Sequence, residues 1–227
     1  MATPLTQKHP SRFYTDESPV GLNRWHRHLP RWLGRFFPTG GGLQTDHEGQ
    51  GLFGFGIFLG SETMLFGTLI LTYVILRIAN AEDWFPAGVL GPQRTPAVIL
   101  HSIVLISSSF VIFAAERALG RGNVKWFRIL LVITALMGAF FLVGEVQEWN
   151  TLDFGFHTGL IGATFYLVTG THGLHVIVGI TLMMIMLWRS FRPGNYDKGH
   201  FGVTAVSIFW HFVDVIWILL FTLFYIW

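Results

Sequence analysis

Apolar residues gather into five long runs, at about 52–78, 97–118, 127–148, 158–188 and 203–226, with short polar segments between them. Each run reaches the roughly 20 residues that a helix needs to cross a hydrocarbon core. The fourth is long enough to tilt or to project into the headgroups. Pro92 and Pro96 punctuate the segment before the second run, and Pro193, Gly194 and Asn195 the segment before the fifth. The pattern predicts an all-α membrane protein. A bundle of five transmembrane helices occupies 51–227, preceded by a basic, amphipathic cytoplasmic segment over 1–50. A cleaved secretory leader would place a short apolar core near the start, with a small-residue cleavage site after it. The first strong apolar run opens only near Gly51, so the runs are read as permanent spans.

Composition agrees with that solvent. Charged residues make up 12% of the chain and hydrophobic ones 52%, with 22 Phe and 9 Trp, where a soluble domain carries about 25% charged residues. The absence of cysteine excludes disulfides, thiolate metal sites and a cysteine nucleophile.

The sequence pI near 9.2 raises the question of nucleic acid, and the placement of charge answers it. Six basic residues precede the first run (Lys8, Arg12, Arg24, Arg27, Arg31, Arg35). Four lie around the second loop (Arg117, Arg121, Lys125, Arg128) and three around the fourth (Arg189, Arg192, Lys198). Arg77 and Arg94 alone fall elsewhere. With the N-terminus inside and the C-terminus outside, thirteen of fifteen basic residues face the cytoplasm, which satisfies the positive-inside rule. The basic balance therefore reads as topology, with no nucleic acid required.

The stretch "LNRWHRHLPRWLGRFF" (22–37) sets Trp25, Leu29, Trp32, Leu33 and Phe36 at helical spacing beside a stripe of Arg24, Arg27, Arg31 and Arg35. That suits a helix lying in the cytoplasmic interface, against lipid headgroups. An irregular basic tail is the equal alternative.

Polar residues stand where hydrocarbon makes them costly. Glu62 lies about ten residues into the first span, His172 and His175 near the middle of the fourth, and His211 and Asp214 one turn apart in the fifth. The alternating span directions bring these five to similar depths. Glu145 and Glu148 lie near the outer end of the third span, and His101 near the outer end of the second. An acidic residue at the bilayer centre costs roughly 2.5–3.5 kcal/mol on insertion scales, so such residues face protein, a partner or water. A metal site and a polar network that neutralises itself between helices are the competing accounts. Spacing disfavours the metal: Glu-x-x-His is absent, because Leu65 follows Glu62 by three and Thr151 follows Glu148 by three. His-Glu-x-x-His is absent too.

Gly56 and Gly60 form G-x-x-x-G on the first span, and Gly159, Gly162, Ala163, Gly170 and Gly173 thin the fourth. Both predict close helix approach. Trp149, Trp188, Trp210, Tyr225 and Trp227 near span ends are expected to form an aromatic belt. No nucleophile–base constellation or phosphate-binding loop is present; "GLFGFG" (51–56) enters an apolar span without a lysine.

With these residues in place, the chain resembles subunit III of the haem–copper respiratory oxidases, above all the cytochrome c oxidase type. The resemblance rests on "ATFYLVTGTHGLHVIVG" (163–179), "WHFVDVIWILLF" (210–221) and "FLGSETMLFG" (58–67), with "HFG" (200–202) and "GEVQEW" (144–149) in support. It runs through all five spans and leaves the N-terminal segment uncovered. The resemblance implies an accessory, non-redox subunit in a bacterial plasma membrane, with no catalytic residue, metal or haem of its own. Haem and copper are then expected in partner subunits. The implied partners are subunit I as the main contact, subunit II, other small subunits and bound phospholipid. The complex would take electrons from cytochrome c, reduce O2 to water and pump protons, while this subunit stabilises subunit I and supports proton uptake. Glu62 matches the family's buried glutamate on the helix facing subunit I and is the proton-related candidate. His172, His175, His211 and Asp214 match its polar helix positions. Fuller members have seven helices; this chain has five, like the shorter bacterial form. Alternatives are subunit III of a quinol oxidase, a free-standing membrane metalloprotein or metal transporter using the His and Asp cluster, and a pure assembly or lipid scaffold.

Overall fold

The structure is a computed structural model and describes residues 46–192 and 201–227. Five helices follow one another: α1 Asp46–Ala79, α2 Pro96–Gly120, α3 Val124–Thr151, α4 Gly159–Ser190 and α5 Phe201–Phe221, the last widening into a π turn at Thr222–Ile226. All five are long and apolar enough to cross a membrane. The five expected spans thus fall on five helices, most of whose ends lie a few residues further out. The chain separates into two compact units, Met1–Gly54 and Phe55–Trp227. Of the first, only the opening turns of α1 are described. The expected interfacial helix, with Arg24, Arg27, Arg31, Arg35, Trp25 and Trp32, lies outside the described residues, as do Pro193, Gly194 and Asn195.

Local chemistry sets the helix ends. Thr95 caps α2 by accepting from the Val98 amide, with Pro96 just inside, where its missing N–H costs nothing. At the other end Gly122 takes φ +76°. The Gly122 and Asn123 amides then reach back to the carbonyls of Leu119 (2.8 Å) and Ala118 (2.9 Å), a Schellman turn. The next residue, Asn123, caps α3 through its side chain. The α2–α3 hairpin is therefore written in "GRGNV" (120–124).

In the second unit α2, α3, α4 and α5 form a closed ring, each packed antiparallel to its two neighbours, with Phe127, Phe141, Phe165, Phe209 and Trp210 in the core. From Phe55 onward α1 lies outside that ring beside α4 and α5, and buries one stripe, notably Phe66 and Tyr73. Ile57, Met64, Leu71, Ile75 and Ile78 on its opposite side are exposed.

Two expectations are corrected. Trp210 is no belt residue: it is fully buried, donating to Ser108 Oγ at 2.8 Å. A Cβ on Gly138 of α3 or Gly179 of α4 would come within 2.6 and 2.7 Å of its ring. Its position nine residues into α5 places it in the middle of the bundle. Tyr225 is also buried and donates to Glu148, while Trp188 and Trp227 remain exposed. The second correction concerns G-x-x-x-G. Beside Gly56 and Gly60 nothing lies within 4 Å, so no helix of this unit approaches them. The close approaches fall at Gly138, Gly144 and Gly179, which were not singled out, and at Gly162 and Gly173, which were; at Gly162 the neighbour is the backbone of Gly155 in the preceding loop.

Candidate functional site

The polar residues picked out in the sequence separate into three groups. At the first, Glu62 of α1 meets His175 of α4, with Oε2 3.0 Å from Nε2 and both side chains mostly buried. Phe66, one turn on, stands edge-on to the same imidazole. The other ring nitrogen, Nδ1, lies 2.7 Å from the carbonyl of Thr171. A carbonyl only accepts, so Nδ1 carries a hydrogen. The Nε2–Oε2 bond then holds a single proton, as an ion pair or as a neutral pair.

The second group is a seam between α2 and α5. Ser109 donates to Asp214 and accepts from His211 Nδ1 at 3.0 Å. Ser108 accepts from the Trp210 indole, and Ser102 accepts from the Trp217 indole at 3.0 Å. Further along, Thr204 donates to Glu116 at 2.8 Å. The paired numbers add to a nearly constant total, as antiparallel helices require. His211 and Asp214 were singled out in the sequence; the serines that receive them were not. Polar residues at 102, 108 and 109, recurring along one side of an apolar span, were the available signal.

The third group lies at the end of the bundle where α2 begins and α3 ends. Glu148 accepts from Tyr225, while Glu145 Oε1 is buried without a hydrogen-bond partner. The His101 imidazole lies against Gly144 and edge-on to Phe140. His172 is fully buried, stacked 5.0 Å from Trp217 and edge-on to Phe141, and neither ring nitrogen has a partner. The interhelical hydrogen bond expected of both α4 histidines is therefore made by His175 and not by His172, whose neighbours are aromatic rings.

At the opposite end the arginines cap the bundle. Arg128 at the start of α3 donates to the Ser190 hydroxyl (2.9 Å) and carbonyl at the end of α4. The guanidinium carbons of Arg117, Arg128 and Arg192 lie 4.2, 4.3 and 4.5 Å from the ring centres of Phe113, Phe191 and Trp188. Such pairs hold a cation at the edge of an apolar surface.

Among the described residues no group of three or more His, Asp or Glu is placed to hold a metal ion. The polar groups tie helices together two or three at a time.

Comparison with known proteins agrees with this architecture. The model of the family described as cytochrome c oxidase subunit III matches residues 38–227. A cytochrome c oxidase subunit 3 of Thermostichus vulcanus is 44% identical over 182 residues, 80% of this chain and 89% of that protein. That of Synechocystis is 42% identical over 190 residues, 79% and 77% of the two chains. The rat protein of the same name is 33% identical over 181 residues, 77% and 69%. The chain belongs to the cytochrome c oxidase subunit III family. It is an integral membrane protein, from a family whose members are non-catalytic subunits of an oxidoreductase complex.

Proposed function

We propose that this chain is the accessory subunit that holds subunit I of a proton-pumping terminal oxidase in its working form. Electrons pass from cytochrome c to O2 through haem and copper carried by partner subunits, subunits I and II. Its N-terminus lies in the cytoplasm, its basic end faces the anionic inner leaflet of a bacterial plasma membrane, and phospholipid fills the space that two further helices occupy in longer relatives. The names of the relatives support the electron donor, and the clustering of arginines at one end of the bundle supports the orientation.

The observation that carries the reading is α1. A polar tie, Glu62–His175, helps hold it to its own bundle, while on the opposite stripe Met64, Leu71 and Ile75 are exposed and nothing in the unit lies within 4 Å of a Cβ placed on Gly60. A helix so placed is a bridge: one side fixes its rotation, and the other meets subunit I. Glu62 then acts on proton uptake by keeping α1 in register beside the uptake route of subunit I, through its bond to His175.

The test is Glu62→Gln in the assembled oxidase, read as proton-pumping stoichiometry, initial turnover and activity kept over many turnovers. Glutamine preserves the bond to His175, so pumping and initial turnover near the unaltered values are expected. Loss of pumping with assembly intact would overturn this and make Glu62 a relay. The helix-register role is read from Glu62→Leu, which is expected to shorten active life. Unchanged active life and subunit retention in Glu62→Leu would remove any role for the pair.

A further inference from the structure

Glu145 is 4% exposed, and its Oε1 has no partner in the protein. A buried carboxyl oxygen left unanswered is costly, and in folded proteins such groups are normally met by protein or by ordered water. Against Glu145 lies a void of about 10 Å³, lined also by Val98, His101, Phe141, Glu148 and Trp217. A single water needs about that much room and two to four polar partners. Besides the Trp217 indole, which is bonded to Ser102, the lining offers three side chains that donate or accept: His101, Glu145 and Glu148. A second cavity of about 340 Å³, partly open like the first, shares Val98, His101, Gly144 and Glu148 with it and continues past Gln147 and Asp153. It lies at the end of the bundle opposite the arginine caps. The His101 ring stands at the junction, held there because Gly144 has no side chain to displace it.

We propose that the two spaces form an aqueous inlet: a site whose ligand is water, which hydrates Glu145 and gives its proton a route to the aqueous phase at that end. The titratable groups facing the route are Glu148, His101 and Asp153, with Tyr225 bonded to Glu148. His172 packs on Trp217 and Phe141, two rings that line the void, without lining it itself. An acyl chain would answer none of the three polar groups, so lipid is the wrong occupant for the inner void. The Glu62–His175 pair is a separate group on other elements, so this inference stands apart from the proposed role of α1.

The experiment is X-ray hydroxyl-radical footprinting of the assembled oxidase, read peptide by peptide by mass spectrometry. Radicals born from bound water oxidise the side chains beside it even when bulk solvent does not reach them. Phe141 and Trp217 line the void; Phe209 and Trp210 are as deeply buried and do not. Oxidation several-fold faster at Phe141 than at Phe209, and at Trp217 than at Trp210, is expected. Val98→Leu narrows both spaces and is expected to bring the fast pair down toward the slow pair. Equal rates within each pair in the unaltered complex would mean a dry void and overturn the proposal, whether or not the variant assembles. Fast rates untouched by Val98→Leu in an assembled complex would overturn the route.

Discussion

His172 and His175 sit three residues apart on α4 and share one face of it, yet only His175 reaches a hydrogen-bonding partner on another helix. The chemistry of each follows from what the facing helix presents: Glu62 to one, the rings of Trp217 and Phe141 to the other. Opposite responses to substitution follow. Glu62→Leu strands His175 Nε2 in an apolar setting and is expected to cost about 1–3 kcal/mol, whereas Glu62→Gln keeps a donor there and costs less. Thermal unfolding of the purified subunit in mild detergent ranks the two, and equal melting would remove the pair as a stabilising contact. His172→Leu removes nitrogens that bond to nothing at similar volume, so its cost is expected below about 1.5 kcal/mol by the same measurement. A larger loss would show that a hydrogen bond had been broken. The sequence puts both histidines near the middle of the fourth run, and they lie mid-helix in α4, because span length determines that position. It did not separate their roles, because the deciding residue lies 113 positions away on α1.

At the scale of elements, the helices were legible and their contacts were not. Apolar runs longer than a bilayer needs leave little freedom over where a helix exists, and "GRGNV" encodes the α2–α3 turn directly. Trp210 was misread because it falls in the first third of the apolar run at 203–226, where an aromatic looks like an interfacial anchor. What buries it is the pair Gly138 and Gly179, on two other helices. Gly179→Ala drives a methyl group into the Trp210 indole and is expected to cost about 1–3 kcal/mol as overpacking. Gly56→Ala, with open space beside it, is expected to leave the melting of the purified subunit unchanged or slightly raised. A loss at Gly56 as large as at Gly179 would contradict the packing described. The α2–α5 seam makes a parallel case. Ser102→Ala leaves the Trp217 indole N–H without its acceptor at a buried site, and a loss of about 1–3 kcal/mol is expected. Ser107→Ala is the control, since that hydroxyl is part-buried and bonds only to its own helix at Val104.

For the whole molecule, the positive-inside pattern, the ring of four helices and the outlying α1 together decide how the subunit meets its surroundings. The chain has no cysteine, so single cysteines report sidedness cleanly. Arg121→Cys, between α2 and α3, is expected to react with an impermeant maleimide only from the cytoplasmic side, and Asp153→Cys, between α3 and α4, only from the outside. The reverse pattern would invert the orientation and place the Glu145 cavity on the cytoplasmic face. Lipid and a protein helix both accept an apolar surface such as the outward stripe of α1. They differ in what they tolerate. Lipid accommodates a leucine as readily as a glycine, whereas a helix packed against Gly60 and Gly67 has no room for added bulk. Gly60→Leu is therefore expected to leave the purified subunit's melting unchanged, since nothing in its own unit lies within 4 Å, and to lower sharply the amount of subunit I that co-purifies with it. Glu62 faces the opposite side of α1, so its tie to α4 survives the change and loss of binding can be assigned to the stripe itself. Full co-purification of subunit I with the Gly60→Leu chain would place the stripe against lipid and move the docking surface to another face of the ring.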